Sequence, residues 1–195
     1  MSTAVLPPPI DFIPSPRKKF TREEVQQMQD SGIFAGQRFE LIDGDLIDKM
    51  GQNPAHVRAI QLVLGLLMSL FGIDRVRGQA PVDAATNDRE RNLPEPDVAV
   101  LAEWRSEFNL RQPCGDELLV AIEVSDTTLY SDTTTKRDLY ARAGVPEYWV
   151  IDLNARRVMV YRSLSEGIYT QITLVGESES VMLEGHSIAV AQLLP

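Results

Sequence analysis

The 195 residues carry nineteen Lys and Arg against twenty-eight Asp and Glu, a net charge of −9, with 44% hydrophobic and 24% charged residues. This is the composition of an ordinary globular chain with one domain's worth of core, and its acidity works against strong non-specific binding to a phosphate backbone. The single cysteine, Cys114, excludes an internal disulfide and has no Cys or His at zinc-ligand spacing, so it reads as a loop thiol in a reducing compartment.

Residues 1–19 hold Pro7-Pro8-Pro9, Pro14 and Pro16 and read as an extended arm, which leaves 20–195 as one domain. Thr21 with Glu24 is a capping-box pattern that opens a short helix ending near Gly32. Arg38 to Ile42, then Asp43-Gly44, then Asp45 to Ile47 is a hairpin with a primed turn. Asn53-Pro54 starts a helix in which Val57, Ile60, Leu64, Leu67 and Phe71 recur at helical spacing up to Gly72. Its apolar run, Ala59 to Phe71, is broken by Gln61 and Ser69 and is too short to span a bilayer; with no secretory leader pattern, a cytoplasmic protein without membrane contact is expected.

Strands follow at about 76–84, 97–101 and 117–124, and a second main helix runs from Asp132 to Ala143 until Gly144 and Pro146 stop it. Tyr148 to Asp152 and Arg157 to Tyr161, joined by Leu153 to Arg156, form another hairpin. Short strands are expected in 169–175 and 179–183, with a last one near Ile188. Helices interspersed with strand pairs indicate an α/β (α+β) fold, a mixed sheet flanked by helices.

Two apolar strands end in acids. Leu118 to Ile122 runs into Glu123, and Pro96-Asp97 precedes Val98 to Leu101. Burying a lone carboxylate costs several kcal/mol unless a cation compensates it. Side chains alternate along a strand, so Ala121, Glu123 and Ser125 share one face, and Glu123 can stand beside Asp97 on the neighbouring strand. Asp132, Lys136 and Tyr140 are spaced by four and share a helix face, which lets Lys136 reach back over the strand end. Two strand-end acids with a helical lysine suit metal-assisted hydrolysis.

Duller readings stand beside these. Glu123 and Lys136 suit a structural ion pair, Glu40 a cross-strand partner of Arg38 or Lys49, Asp132 a helix-terminal acid, and His56 a surface histidine near a helix cap. Tyr148 and Trp149 read as core. The cationic candidates Arg17-Lys18-Lys19, Arg75 with Arg77, Arg89 with Arg91, and Arg156-Arg157 each read as solvated surface.

Phe39-Glu40-Leu41-Ile42-Asp43-Gly44-Asp45, His56, Pro96-Asp97-Val98, Glu123-Val124-Ser125, Lys136, and Tyr140 through Val145-Pro146-Glu147-Tyr148-Trp149-Val150-Ile151-Asp152 together resemble the Uma family of restriction-endonuclease-like proteins, within the PD-(D/E)XK nuclease superfamily. The resemblance covers roughly residues 20–190. It implies a restriction-endonuclease-like core, here with an extra N-terminal hairpin and C-terminal strands, and Mg²⁺-dependent hydrolysis of DNA phosphodiesters, with Mn²⁺ as a possible substitute. By the same resemblance Asp97 and Glu123 are metal ligands, Lys136 is the catalytic cation and Glu40 completes the acidic cluster. The superfamily's usual lysine, two residues after the second acid, is replaced here by Ser125, and the cation is expected to have moved to Lys136 on the next helix. Lys136 is also expected to have a surface-accessible stem, so that its replacement would spare the fold.

A double-strand cut needs two sites, so a homodimer is expected. Two other classes fit the same residues: an inactive nuclease-fold module for binding or assembly, and a metal-independent carboxylate-pair hydrolase such as a glycosidase.

Overall fold

The computed structural model describes residues 17–49 and 53–195. The expected proline arm lies outside the described residues except for its last three positions. Helix α1 (Arg22–Asp30) begins on a complete capping box: the Glu24 N–H donates to Thr21 Oγ1 at 3.2 Å, and the Thr21 N–H donates to the Glu24 carboxylate at 2.9 Å. Strands β1 (Phe39–Ile42) and β2 (Asp45–Asp48) pair antiparallel, Glu40 opposite Ile47. Asp43 and Gly44 both have positive φ, 48° and 78°, as the primed turn requires. A Cβ on Gly44 would also lie 2.9 Å from the Lys19 Cβ, so this turn is closed to larger residues twice over.

Helix α2 (Pro54–Phe71) starts where Asn53 accepts the His56 N–H at 2.9 Å, with Pro54 at its first position, and stops at Gly72. Its buried stripe is Ala59, Ile60, Val63, Leu67 and Phe71, whereas Val57 is 37% exposed and lies off the stripe. Among the described residues it is the one helix long and apolar enough to cross a membrane; here that stripe packs against the sheet.

The central sheet has six strands in the order β3 (Val76–Gly78), β4 (Val98–Leu101), β5 (Leu118–Ser125), β6 (Tyr148–Asp152), β7 (Arg157–Ser165) and β8 (Ile168–Gly176). Only β5 and β6 run parallel; the other neighbours are antiparallel, which makes the sheet mixed as expected. The crossover from β5 to β6 carries the second helical segment. A small hairpin of β9 (Ser180–Leu183) and β10 (His186–Ala189) adds to the core on the α2 side.

Three expectations about these elements need correction. The strand expected over 76–84 ends at Gly78, because Gln79 turns into positive φ (47°) and Pro81 has no N–H for a ladder; only an isolated bridge joins Asp83 to Cys114. β7 and β8 are longer than expected. The helix expected to open at Asp132 opens at α3 (Leu129–Ser131), passes through a wide π turn over Asp132–Lys136, and continues as α4 (Arg137–Arg142). A cause lies in the run Thr133-Thr134-Thr135. Thr133 and Thr134 turn their hydroxyls back onto the Leu129 and Tyr130 carbonyls at 2.6 and 2.5 Å, in competition with backbone donors.

Alternation along β5 divides the core in two. Val120, Ile122 and Val124 pack with the α2 stripe, Val98, Val100, Trp149 and Ile151. On the other face Ala121, Tyr140, Tyr148, Val150 and Tyr161 form a second, aromatic-rich core. Tyr148 and Trp149 are core residues, as read from sequence. Gly115 allows the start of β5 to approach the end of α4, since a Cβ there would lie 2.3 Å from the Ala143 carbonyl oxygen.

Candidate active site

Glu123 lies on the α4 face near the end of β5, and Asp97 immediately precedes β4, where β4 and β5 are antiparallel neighbours. The Asp97 carboxylate accepts the Val124 N–H at 2.9 Å, which ties it to the strand that carries Glu123. Both acids are buried, and so are Glu40, Asp132 and Lys136.

Lys136 is the hub. Its ammonium lies 2.7 Å from Glu40 Oε1 and 3.0 Å from Glu123 Oε1. Tyr140, one turn on, donates its hydroxyl to the same Glu123 oxygen at 2.9 Å, while the other Glu40 oxygen accepts the Glu95 N–H at 3.2 Å. The structure thus brings Glu40, Glu123, Lys136 and Asp97 to one place. Glu40 does not pair with Arg38, which binds Glu95. The expected surface-accessible lysine stem is not found: Lys136 is buried, because the π turn directs both Asp132 and Lys136 toward the sheet.

Asp132 supports this arrangement. Its Oδ2 accepts the hydroxyls of Ser125 and Thr128, both at 2.5 Å, and its backbone carbonyl accepts the Tyr148 hydroxyl at 2.9 Å. Ser125 therefore anchors the helix that carries Lys136.

Two further groups that the sequence reading named but did not set beside Asp97 reach the cluster: Lys49, weighed there as a partner of Glu40, and His56, named in the resemblance and read as a surface histidine near a cap. Lys49, just after β2, lies 3.6 Å from Asp97 Oδ1 and 3.9 Å from Glu40 Oε1. His56 Nε2 lies 3.6 Å from Asp97 Oδ2. A signal for Lys49 was present: Ile47 faces Glu40 across the hairpin, and Lys49, two residues on, returns to the same face. For His56 the signal was the resemblance and not the pattern, since helix periodicity does not tell which strand end the first turn overhangs.

Burial opposes ionisation of Asp97, but His56, Lys49, Lys136 and the Val124 N–H outweigh it and bring its pKa down to about 2. Burial dominates at Glu123 and pushes its pKa up, against Lys136 and Lys49, with Asp97 and Asp132 adding to the rise. Burial also works against the Lys136 ammonium, yet Glu123, Glu40 and Asp132 raise its pKa well above the ordinary lysine value. Lys49 shifts upward as well: burial opposes its charge, and the acids around it prevail over Lys136. The cluster therefore holds two charged lysines and an ionised Asp97, while burial moves Glu123 toward its protonated form. Tyr140, raised mainly by burial, stays a phenol and keeps donating to Glu123.

These groups line a cavity of about 450 Å³. Its mouth carries Asp43, Asp45, Asp48 and Asp126 beside Lys19, Thr127, Thr128, Ser131 and Thr135. Lys19 at the mouth pairs with Asp45, and elsewhere on the surface Lys18, Arg75, Arg89, Arg156 and Arg157 pair with carboxylates. Among the described residues no three His, Cys, Asp or Glu side chains stand close enough to cage a metal ion unaided. An oxygen-rich site completed by water and a phosphate still suits Mg²⁺, and Asp97 Oδ1 is buried with no hydrogen-bond partner.

A mixed sheet with acids at two adjacent strand ends and a lysine set between carboxylates is the framework of a nuclease-like fold. The solved structure of a putative nuclease belonging to DUF820 from Anabaena variabilis ATCC 29413 shares this fold, with a TM-score of 0.64 over 89% of this chain and 97% of the other at 14% identity. A family model, Uma2, described as putative restriction endonuclease, matches residues 22–191, and the chain belongs to that family. No curated protein matches the sequence.

Proposed function

We propose that the chain is a Mg²⁺-dependent endonuclease that hydrolyses phosphodiester bonds of DNA in this cavity. The observation that supports this best is the buried Lys136 ammonium, held by Glu40 and Glu123 next to an Asp97 carboxylate with an unsatisfied oxygen. Asp97 and Glu123 hold the ion, with Mn²⁺ as a substitute. When bound, the ion stabilises charge on the phosphate and acidifies a water. Lys136 supplies a fixed positive charge facing the scissile phosphate, and its two carboxylate partners set its position. Tyr140 holds the Glu123 carboxylate in one orientation. Lys49 offsets charge on Asp97 until the ion takes that role.

An acidic mouth repels a bare phosphate backbone, so substrate enters together with divalent cations that screen it. Two copies related by a two-fold axis would cut both strands of a duplex, which light scattering tests: a monomer across micromolar concentrations counts against the dimer. The activity test is cleavage of duplex, single-stranded and branched DNA with and without Mg²⁺ or Mn²⁺. Metal-dependent cleavage that disappears in Asp97→Asn is the expected result. No cleavage of any of the three with either ion overturns the reading.

A further inference from the structure

We infer that His56 Nε2 is a ligand of the divalent ion, next to Asp97, and that it moves the preference of the site from Mg²⁺ toward Mn²⁺. This rests on the metal-dependent reading above and adds a nitrogen donor to it.

His56 occupies a fixed place. It sits in the first turn of α2, where its N–H is held by Asn53 at 2.9 Å, and its side chain is only 15% exposed. Nε2 is nevertheless buried without a hydrogen-bond partner, and Asp97 Oδ1 is in the same condition. Buried polar atoms are almost always paired, so two orphans on neighbouring side chains call for a common cause.

The distances suggest one. The half of the cluster around Lys136 is tight, at 2.7 and 3.0 Å. Asp97 is held at 2.9 Å by the Val124 N–H through Oδ2, yet its other neighbours stand back: His56 Nε2 is 3.6 Å from Oδ2, and Lys49 is 3.6 Å from the unpartnered Oδ1. A gap of 3.6 Å is too long for a hydrogen bond, but two metal–ligand bonds of about 2.1 Å each can span it. Lys49, held at that length, can yield its place to an ion. A carboxylate with an imidazole suits Mn²⁺ better than Mg²⁺, which prefers oxygen throughout.

Mn²⁺ bound to the full chain and followed by pulsed electron paramagnetic resonance tests this without reference to cleavage. The expected spectrum shows ¹⁴N coupling from a directly bound imidazole. That coupling persists in His186→Gln and disappears in His56→Gln, where Mn²⁺ affinity falls about tenfold or more while Mg²⁺ affinity changes much less. Thermal melts verify that His56→Gln is folded; should it not be, His56→Asn replaces it, and the wild-type spectrum is informative without either variant. Mn²⁺ that binds in an Asp97-dependent manner with no ¹⁴N coupling overturns the inference and leaves the metal-dependent reading intact. Absence of Mn²⁺ binding at millimolar concentrations overturns both.

Discussion

The two faces of β5 are built from alternate residues of one strand and obey different rules. Toward α2, Val120, Ile122 and Val124 bury apolar area against Ala59, Val63 and Leu67 without any directed bond. Toward the π turn, Glu123 and Ser125 bury polar atoms, and each is tied to a specific donor or acceptor: Lys136 and Tyr140 for one, Asp132 for the other. The apolar face is held by area removed from water. The polar face is held by matching, so losing one partner leaves an uncompensated charge.

Lys136→Met is the harshest way to break this division. It leaves Glu40 and Glu123 buried without their cation, so a loss of about 3–5 kcal/mol in urea unfolding is expected. Where the variant is still folded, cleavage falls by about 10²–10³-fold or more. Residual cleavage within a few-fold of wild type would remove Lys136 from the chemistry.

Leu67→Ala sharpens the comparison from the other side. The expected cost is about 2–5 kcal/mol, set by the cavity it leaves. Cleavage per folded molecule, measured well below the melting temperature, stays near wild type. A parallel fall in cleavage would mean that the two faces are not separable.

Acid probes one carboxylate of the polar face. The Asp97 pKa falls from an ordinary 3.8 to about 2 in the folded protein, so its stabilisation is present above 3.8 and is lost as pH drops through about 2. Urea unfolding free energies of wild type and Asp97→Asn measured at pH 5 and pH 2 should converge by about 2 kcal/mol. Parallel behaviour of the two proteins would show that Asp97 gains no such stabilisation.

The smallest effect is expected for Ser125→Ala. Asp132 keeps the Thr128 hydroxyl, so the loss is about 1 kcal/mol, and cleavage changes by a few-fold at most. A larger fall in cleavage at full stability would give Ser125 a direct part in the reaction.

Much of the scaffold was legible because local chemistry and periodicity agree with the final packing. Thr21 with Glu24, Asp43-Gly44, Asn53-Pro54 and the alternation through Glu123 each specify a cap, a turn or a face without tertiary information. The π turn was not legible. Asp132, Lys136 and Tyr140 are four apart, so they share a face of an ordinary helix as well, and nothing in that spacing reveals a widened turn or a buried lysine stem. Val57 fits the α2 period as well as Leu67 does, yet only the position of the sheet decides which of them is covered. The juxtaposition of Glu40, Lys49 and His56 with Asp97 depends on how the hairpin and the first turn of α2 dock, which is long-range geometry.

The separation in sequence between the hairpin that carries Glu40 and the helix that carries Lys136 also sets when the site comes into existence. Glu40 leaves the ribosome first and Lys136 last of the cluster, and at about 5–20 residues per second that interval lasts on the order of 5–20 s. The parallel partner of β5 is β6, which is synthesised later still, so Glu123 gains its full strand environment only after Tyr148–Asp152 has emerged. A nascent chain therefore carries Glu40 and Asp97 well before it holds the cation that organises them, and the cluster is complete only once the crossover has closed.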